Sequence, residues 1–475
     1  MNIQLLIVVL YIAVLFVISW YAKRLASQGS THFLLAGRAL SPALVAVSIA
    51  GLAIGGASTI GVSENAYNMG LSAGWYDVAW AAGAFIMGLL AAGKYRELQV
   101  TTIPELFERF YDKKGRIISV IGQIIIMLVI TSLQYVAGGA ILASLLPQYF
   151  NMQTGMITSA LVFIGMTLIG GMWSAGLSNL LNVSLIYIGT IIGTFMCVKS
   201  QGGLQQIALA IPDSAKYFSP IKGAGMGTIM AWMAVMITQT LSAQGPVQIA
   251  CGAKDARAAR NGFLLGGLLI LPIGFLSALM GIAARAAFPG IQATLALPKI
   301  IMSLDPVVAG ITLAALWAAD VSTAGTLLLG SATLFSQDIW KRFIQKNMDD
   351  KQYLLVNRLA VALLGILTYW MAASVVGIVK TLVIGLSLTT AFTVIFLFTV
   401  FAPGLCRKNS AFYTTLVGII VLVLWQFVPA IRILPHVIYL EWIVCLITFL
   451  VIPLFDSKPA RISIVNNLSN VNRKP

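Results

Sequence analysis

The sequence predicts an all-α polytopic membrane protein with about thirteen transmembrane helices, on three observations: composition, the recurrence of apolar runs, and the side on which basic residues fall. Of its 475 residues, 59% are hydrophobic and only 9% charged. Mean hydropathy is +0.93, far above that of soluble domains. Apolar runs of roughly 18 to 28 residues recur between short polar connectors, each long enough to cross about 30 Å of hydrocarbon as a helix. No run alternates with period two, which argues against a β-barrel.

In chain order the runs predict spans at 3–22, 42–70, 73–97, 117–146, 154–171, 178–199, 226–250, 261–288, 306–336, 353–371, 374–401, 411–429 and 437–455. The first, Ile3 to Tyr21, has neither a basic lead nor a small-residue cleavage site, so it reads as a retained helix rather than a signal peptide. The connectors 98–116, 200–225 and 289–305 are each long enough for a short surface helix. The tail 456–475, ending NNLSNVNRKP, reads as a disordered cytoplasmic end.

A formal net charge of +15 could indicate nucleic acid, but the positions of the basic residues give a simpler account. Lys23, Arg24 and Arg38, then Lys94 to Arg116, Lys254 to Arg260, Lys341 to Lys351, Arg407, Lys408 and the tail fall on alternate connectors. The opposite connectors hold only Lys199, Lys216, Lys222, Lys299, Lys380 and Arg432, with Arg285 near a helix end. The positive-inside rule then predicts an odd number of spans in the cell (inner or plasma) membrane, with the N-terminus outside and the C-terminus cytoplasmic. A lipid bilayer and no nucleic acid are the partners this implies. Cys197, Cys251, Cys406 and Cys445 lack metal or redox spacing, and His32 and His436 read as solvated loop residues.

Two spans are unusual in backbone rather than in hydrophobicity. Span 42–70 is interrupted at Gly51, Gly55 and Gly56, and span 226–250 by TQTLSAQGP from Thr238 to Pro246. Unpaired amides in lipid cost several kcal/mol each, so irregular backbone at membrane depth survives only inside protein or beside a wet cavity. Interrupted helices at matching positions of two halves point to an inverted-repeat secondary transporter, with its site at the breaks. They open two five-span blocks, 42–199 and 226–401, and cross in opposite directions. Around these blocks lie 1–41 (an extra helix and cytoplasmic loop), 200–225 (an extracellular loop), 402–455 (two further helices) and the tail. The plainer reading is that the glycines only permit close helix packing.

In LAALWAADVSTAGTLLLGSATLFSQDIW, Leu313 to Trp340, residues Ala319, Ser322 and Thr323 share one helix face. Two hydroxyls plus the freed carbonyls of a broken helix make an all-oxygen, mostly neutral cage that suits Na+ rather than a transition metal. Equally, Ser and Thr in a spanning helix can bond their own i−4 carbonyls.

This stretch resembles the sodium-site helix of the sodium:solute symporter family, whose pattern small-x-x-Ser-Ser/Thr, followed by Asp-Ile/Leu-aromatic, is met by Ala319, Ser322, Thr323 and Asp338-Ile339-Trp340. TTIPELFERFY at Thr101, AYNMGLSAGWY at Ala66 and VQIACGAKDARAAR at Val247 are similar to its other motifs, in order, over roughly residues 40–400. The resemblance implies a leucine-transporter-type core of five plus five inverted helices, with one helix before and two after. It also implies Na+ held by the carbonyls of Gly51, Ile54 and Ala319 with the hydroxyls of Ser322 and Thr323.

The chain departs from the family in two places. Ser178 and Asn179 stand where many members carry Thr-Asp, associated with a second cation site, so a second sodium is not expected. Asp320 stands where the family usually has an apolar residue, and an acid at membrane depth is functional by default. Asp320 could strengthen the sodium site, titrate, or pair with a neighbouring helix. Ser58, Asp77, Gln239 and Thr240 match positions that face the solute in sugar-transporting members, although the lysine and gating tyrosine of those members are absent. Glu64 and Gln134 are further polar residues in apolar spans. No Arg or Lys falls near the expected centre, which disfavours a dianionic solute.

The expected function is sodium-coupled import of a small polar organic solute (an amino acid, sugar or related metabolite) by alternating access, with no cofactor beyond Na+ as coupling ion. The alternatives are a proton-coupled symporter using Asp320 or Glu64, and a non-transporting solute sensor. A channel lacks a filter-like segment, and an enzyme lacks a nucleophile, metal cluster or phosphate loop.

Overall fold

A computed structural model describes residues 3–372 and 378–461. Within them the chain is helical throughout, and its only β contacts are two isolated bridges, Leu40–Ala253 and Arg407–Pro459. Ten helices among the described residues are long and apolar enough to span a membrane, or eleven if one bent pair is counted as a single span. The expectation of thirteen differs for two physical reasons. Span 42–70 is divided by its break: Pro42–Ala53 is too short to qualify, and the rest runs on with span 73–97 as one stretch, Ala57–Leu98. Spans 154–171 and 178–199 run on as one 49-residue helical element, Met152–Ser200. That element would be about 74 Å long if straight, more than twice the hydrocarbon thickness. Its interruption is Gly171, at φ 52° and ψ −136°. The Phe33 carbonyl sits where a side chain at Gly171 would begin, so only glycine fits.

The helices that frame the centre are introduced in chain order. Helix α1 (Ile3–Ala26) packs on the long element. Helix α2 (Pro42–Ala53) starts with Pro42 in its first turn and Ser41 as cap, its hydroxyl accepting from the Leu44 amide. After the break, a π-helical turn Ala57–Gly61 leads into α3 (Val62–Met69), and α4 (Trp75–Ile86) follows. The short connector helix α5 (Ile103–Phe110), capped by Thr102, precedes α6 (Lys113–Leu145), capped by Asp112. The long element is α7. The second broken span is α8 (Gly225–Ser242) and α9 (Gln244–Gly252), bent by 47°. Helices α10 (Ala256–Ile270) and α11 (Ile273–Ala287) meet at Leu271–Pro272. Helix α12 (Pro306–Thr333) continues as a π-helical stretch to Ile344. Helices α13 (Asp350–Ala372), α14 (Thr389–Phe401), α15 (Ser410–Phe427) and α16 (Val437–Phe455) complete the described chain.

Burial sorts these helices. The most apolar window of the span containing α12 is 83% buried, against 28% for α1 and α13, so α12 is the central post and the other two face lipid. Helix α12 touches α6, α7, α2, α9, α1 and α13. Short helices do occupy the three long connectors, at Ile103–Phe110, Leu204–Ala210 with Ser214–Tyr217, and Ala296–Met302. His436 differs from its expected role: its ring accepts from the Ile438 amide and caps α16. Most of the tail, the start of span 374–401 and the Lys380 side chain lie outside the described residues.

Helix α2 is clamped to α10 through Gly262 and Gly266, which lie one turn apart against Val45 and Ile49. A side chain at Gly266 would overlap Ile49, and overpacking of this kind costs about 1–3 kcal/mol. Gly266→Leu is expected to lower the melting temperature of the purified protein by several degrees. Gly227→Leu, where nothing lies within 4 Å of a β-carbon, should leave it unchanged.

Candidate functional site

The first break opens because α2 ends at Ile54, whose φ of −86° and ψ of 85° turn its carbonyl out of the helical ladder. It is held against α12. Ser322 Oγ donates to the Gly51 carbonyl at 2.7 Å and to the Ala319 carbonyl at 2.9 Å. Thr323 Oγ1 donates to the Gly51 carbonyl at 2.9 Å and to that of Leu52 at 3.3 Å. Five oxygens from two segments some 270 residues apart therefore converge on one buried spot. The hydroxyls have not simply folded back on their own helix: Thr323 turns wholly to α2, and Ser322 divides its contacts between Gly51 and Ala319.

The glycines of the break are required by this closeness. A β-carbon at Gly55 would lie 2.5 Å from Thr323 Oγ1 and 2.6 Å from Gln134 Oε1, and one at Gly51 would lie 2.7 Å from the Asn179 amide. Asn179, whose amide atoms have no hydrogen-bond partner among the described residues, lines a small cavity of about 20 Å³ together with Thr167, Ser174, Ser178, Asn182 and Ser322. Met166, Ala175 and Val321 complete a mixed lining that carries no charged side chain.

Both breaks are bridged by glutamines of α6. Gln134 Oε1 accepts from the Gly56 amide at 2.8 Å. At the second break Gln123 Oε1 accepts from the Gln244 amide at 3.1 Å while its Nε2 donates to the Ser242 carbonyl at 2.7 Å. The two glutamines lie about three turns apart on one face of α6. Gln134 was visible in the sequence as a polar residue in an apolar span. Gln123 carries the same signal, a polar residue in an apolar span.

Of the other expected site residues, Asp77 is fully buried on α4 beside Ser58, whose hydroxyl donates to the Ala53 carbonyl at 2.8 Å. Asp320 is fully buried next to Gly56, where a β-carbon would lie 2.7 Å from its Oδ1. By distance and angle neither carboxylate completes a hydrogen bond among the described residues, although Asp77 lies beside the Ser58 hydroxyl and Asp320 beside the Gly56 amide. Gln239 and Thr240 bond each other at 3.0 Å, and Thr240 packs on Gly83 of α4. That places the pair beside α4, with no hydrogen bond to Ser58 or Asp77. Glu64 is half-buried on α3.

A charged cluster that sequence reading did not assemble closes the side where the basic connectors lie. Glu108 of α5 bridges Arg116 of α6 and Arg342 after α12, each at 2.5 Å, and Arg116 reaches Asp338 at 2.5 Å. The Arg342 guanidinium, followed by that of Arg116, pulls the Glu108 carboxyl down from the usual 4.5 to about 2.

A buried, twice-broken helical core of this kind defines a secondary transporter of the leucine-transporter-type fold. The chain matches the family model "Sodium:solute symporter family" over residues 33–418 and belongs to that family. It is a sodium-coupled symporter and not an enzyme. It is 24% identical over 443 residues to sodium/proline symporter 2 of Staphylococcus saprophyticus, covering 88% of this chain and 85% of that one. A substrate-bound, outward-open Na+-coupled sialic acid symporter superposes with a TM-score of 0.81 at 17% identity, covering 97% and 99% of the two chains. MhsT in complex with L-phenylalanine superposes with a TM-score of 0.55 at 16% identity, covering 87% and 98%.

Because the carboxyl of Glu108 titrates lower in the folded protein than when unfolded, its contribution to stability is complete above about pH 4.5 and is lost as pH falls toward 2. Glu108→Gln should therefore lower the melting temperature at pH 7 and shrink the difference from wild type as the pH drops through that window. An equal difference at pH 7 and pH 3 would contradict the assignment.

Proposed function

We propose that one Na+ binds between α2 and α12, coordinated by the carbonyls of Gly51, Ile54 and Ala319 and the hydroxyls of Ser322 and Thr323, and drives import of a small polar organic solute. The observation that carries this reading is the Gly51 carbonyl accepting from both Ser322 and Thr323. Each hydroxyl has lone pairs as well as a proton, so rotation about its C–O bond exchanges a donor to Gly51 for a ligand to the ion. The donor set is all oxygen, as a hard monovalent cation requires. Asn179, neutral where the family often has Asp, supports a single sodium.

Sodium bound there ties the first broken span to the central post. It can drive transport only if it binds the outward-open and inward-open states with different affinity, and a site built from two segments that must touch meets that condition. Ser58 and Asp77 on one side of the break, with Gln239 and Thr240 near the second, would contact the solute. Residues 42–199 and 226–401 act as the two inverted blocks, 1–41 and 402–455 as flanking helices, and 200–225 as an outer loop. The sidedness of the basic residues supports an N-terminus outside and a C-terminus in the cytoplasm of a cell membrane.

Proton coupling is the second reading, favoured by Asp320, a buried acid that completes no hydrogen bond among the described residues. Uptake that persists without sodium under an imposed pH gradient would establish it.

The test needs no solute. Sodium at a hundred times its Kd stabilises a protein that binds it by about 2.7 kcal/mol. NaCl, against KCl at equal ionic strength, should raise the melting temperature of the wild type, and Ser322→Ala with Thr323→Ala should remove the rise. An undiminished rise in the double variant would place the ion elsewhere.

A further inference from the structure

On the side where the basic connectors lie, the end of α1, the stretch of α7 just before its Gly171 kink and the start of α13 enclose a groove of about 410 Å³. Two cations line it, Lys23 in the last turn of α1 and Arg358 of α13. Leu168 and Ile169 of α7, with Leu355 and Leu359 of α13, make most of the remaining wall. Neither cation has an ion-pair partner among the described residues, whose salt bridges all fall in the Glu108 cluster. The acids at the head of α13 are engaged elsewhere. Asp349 accepts from the Gln352 amide at 2.7 Å, and Asp350 accepts from the Ser30 amide at 3.3 Å.

A long cation near a helix end ordinarily lays its stem on apolar surface and carries its charge to water. Lys23 fits that pattern: it is exposed, with its ammonium 5.1 Å from the ring of Trp20, an exposed aromatic of the kind that marks a membrane interface. Arg358 does not fit it. The residue is half-buried, its guanidinium lies 5.7 Å from the Phe33 ring, and its Nε is shielded from solvent with no hydrogen-bond partner among the described residues. A shielded donor without an acceptor is costly, which points to an acceptor that the described chain does not supply.

The surroundings indicate what carries that acceptor. Helices α1 and α13 are the ones whose most apolar windows are only 28% buried, and Leu355 and Leu359 are 60% and 54% exposed, so the groove opens on the bilayer. An occupant that suits the whole groove brings negatively charged oxygens to Lys23 and Arg358 and hydrocarbon to the leucines. A phospholipid has that form. Its phosphate matches the planar fork of an arginine, and the lysine adds a point charge. A headgroup with its own ammonium would set a third positive charge beside these two, whereas one with net negative charge balances them.

We propose that this groove binds an anionic phospholipid, its phosphate held between Lys23 and Arg358 and its acyl chains lying along Leu168, Leu355 and Leu359. By the sidedness of the basic residues this lipid belongs to the cytoplasmic leaflet. The groove shares no residue with the sodium centre, so the two proposals stand or fall separately.

The test titrates purified full-length protein in detergent with phosphatidylglycerol or with phosphatidylcholine of the same acyl chains, and reads bound lipid by native mass spectrometry. Phosphatidylglycerol should bind about 10-fold or more tightly. Lys23→Gln and Arg358→Gln should each weaken it about 5-fold, and the double variant about 30-fold, with phosphatidylcholine binding unchanged. Lys254→Gln with Arg257→Gln removes the same charge from another exposed connector on the same side and should leave phosphatidylglycerol binding as it was. Equal binding of the two lipids, wild-type binding by the double variant, or an equal loss in the Lys254 and Arg257 control overturns the proposal. So does competition by soluble glycerol phosphate at the concentration of the lipid, which would make the groove a seat for a free anion. Lys23 is exposed, so its single variant decides the matter even if Arg358→Gln does not fold.

Discussion

The shared carbonyl of Gly51 is the point on which the rest of the structure depends. A backbone oxygen of a spanning helix is normally consumed by its own ladder, and here it is offered to two hydroxyls of a helix some 270 residues away. That requires α2 to stop within the bilayer, which in turn requires something to satisfy the backbone groups it abandons. Gln134 takes the Gly56 amide, α12 takes the carbonyls, and glycines at 51, 55 and 56 give the room for these side chains to come so near. Remove any one and a polar group is left in a medium where each costs several kcal/mol.

The second break repeats the solution with different parts. Gln123 clasps both sides of the bend between Ser242 and Gln244, and Thr393 of α14 donates to the Thr238 carbonyl just before it. Since Gln123 and Gln134 ride on one face of one rigid helix, α6 holds both hinges at a fixed spacing. A motion that opens one break bears on the other through α6, which gives a physical route for coupling between the two halves. The Glu108 cluster fastens the start of α6 to the end of α12, so the helices that carry the hinges and the central post are also tied at one end.

Much of this was legible in the sequence. Apolar run length marked the apolar stretches, glycine clusters and TQTLSAQGP marked both breaks, and the spacing of Ser322 and Thr323 put on one face the hydroxyls that meet Gly51. What periodicity could not give was pairing across the bundle. Nothing local says that Arg116 reaches Asp338, or that a glutamine at 123 caps an amide at 244, because such contacts depend on which helices become neighbours. Counting helices by length and apolarity gives ten or eleven rather than thirteen for a related reason. A single glycine at positive φ can turn α7 without any polar connector to announce it, and a break can leave α2 shorter than a spanning helix is expected to be.

The central claim is that sodium sits where α2 and α12 share oxygens. A high-resolution structure of the full-length protein in lipid nanodiscs, determined once in sodium and once with a bulky cation in its place, addresses it most directly. The account predicts an ion peak in sodium within coordination distance of the Gly51 and Ala319 carbonyls and the Ser322 and Thr323 hydroxyls, absent in the other sample. No peak there, or a sodium-dependent peak centred instead on Asp77 or in the cavity at Asn179, would contradict it.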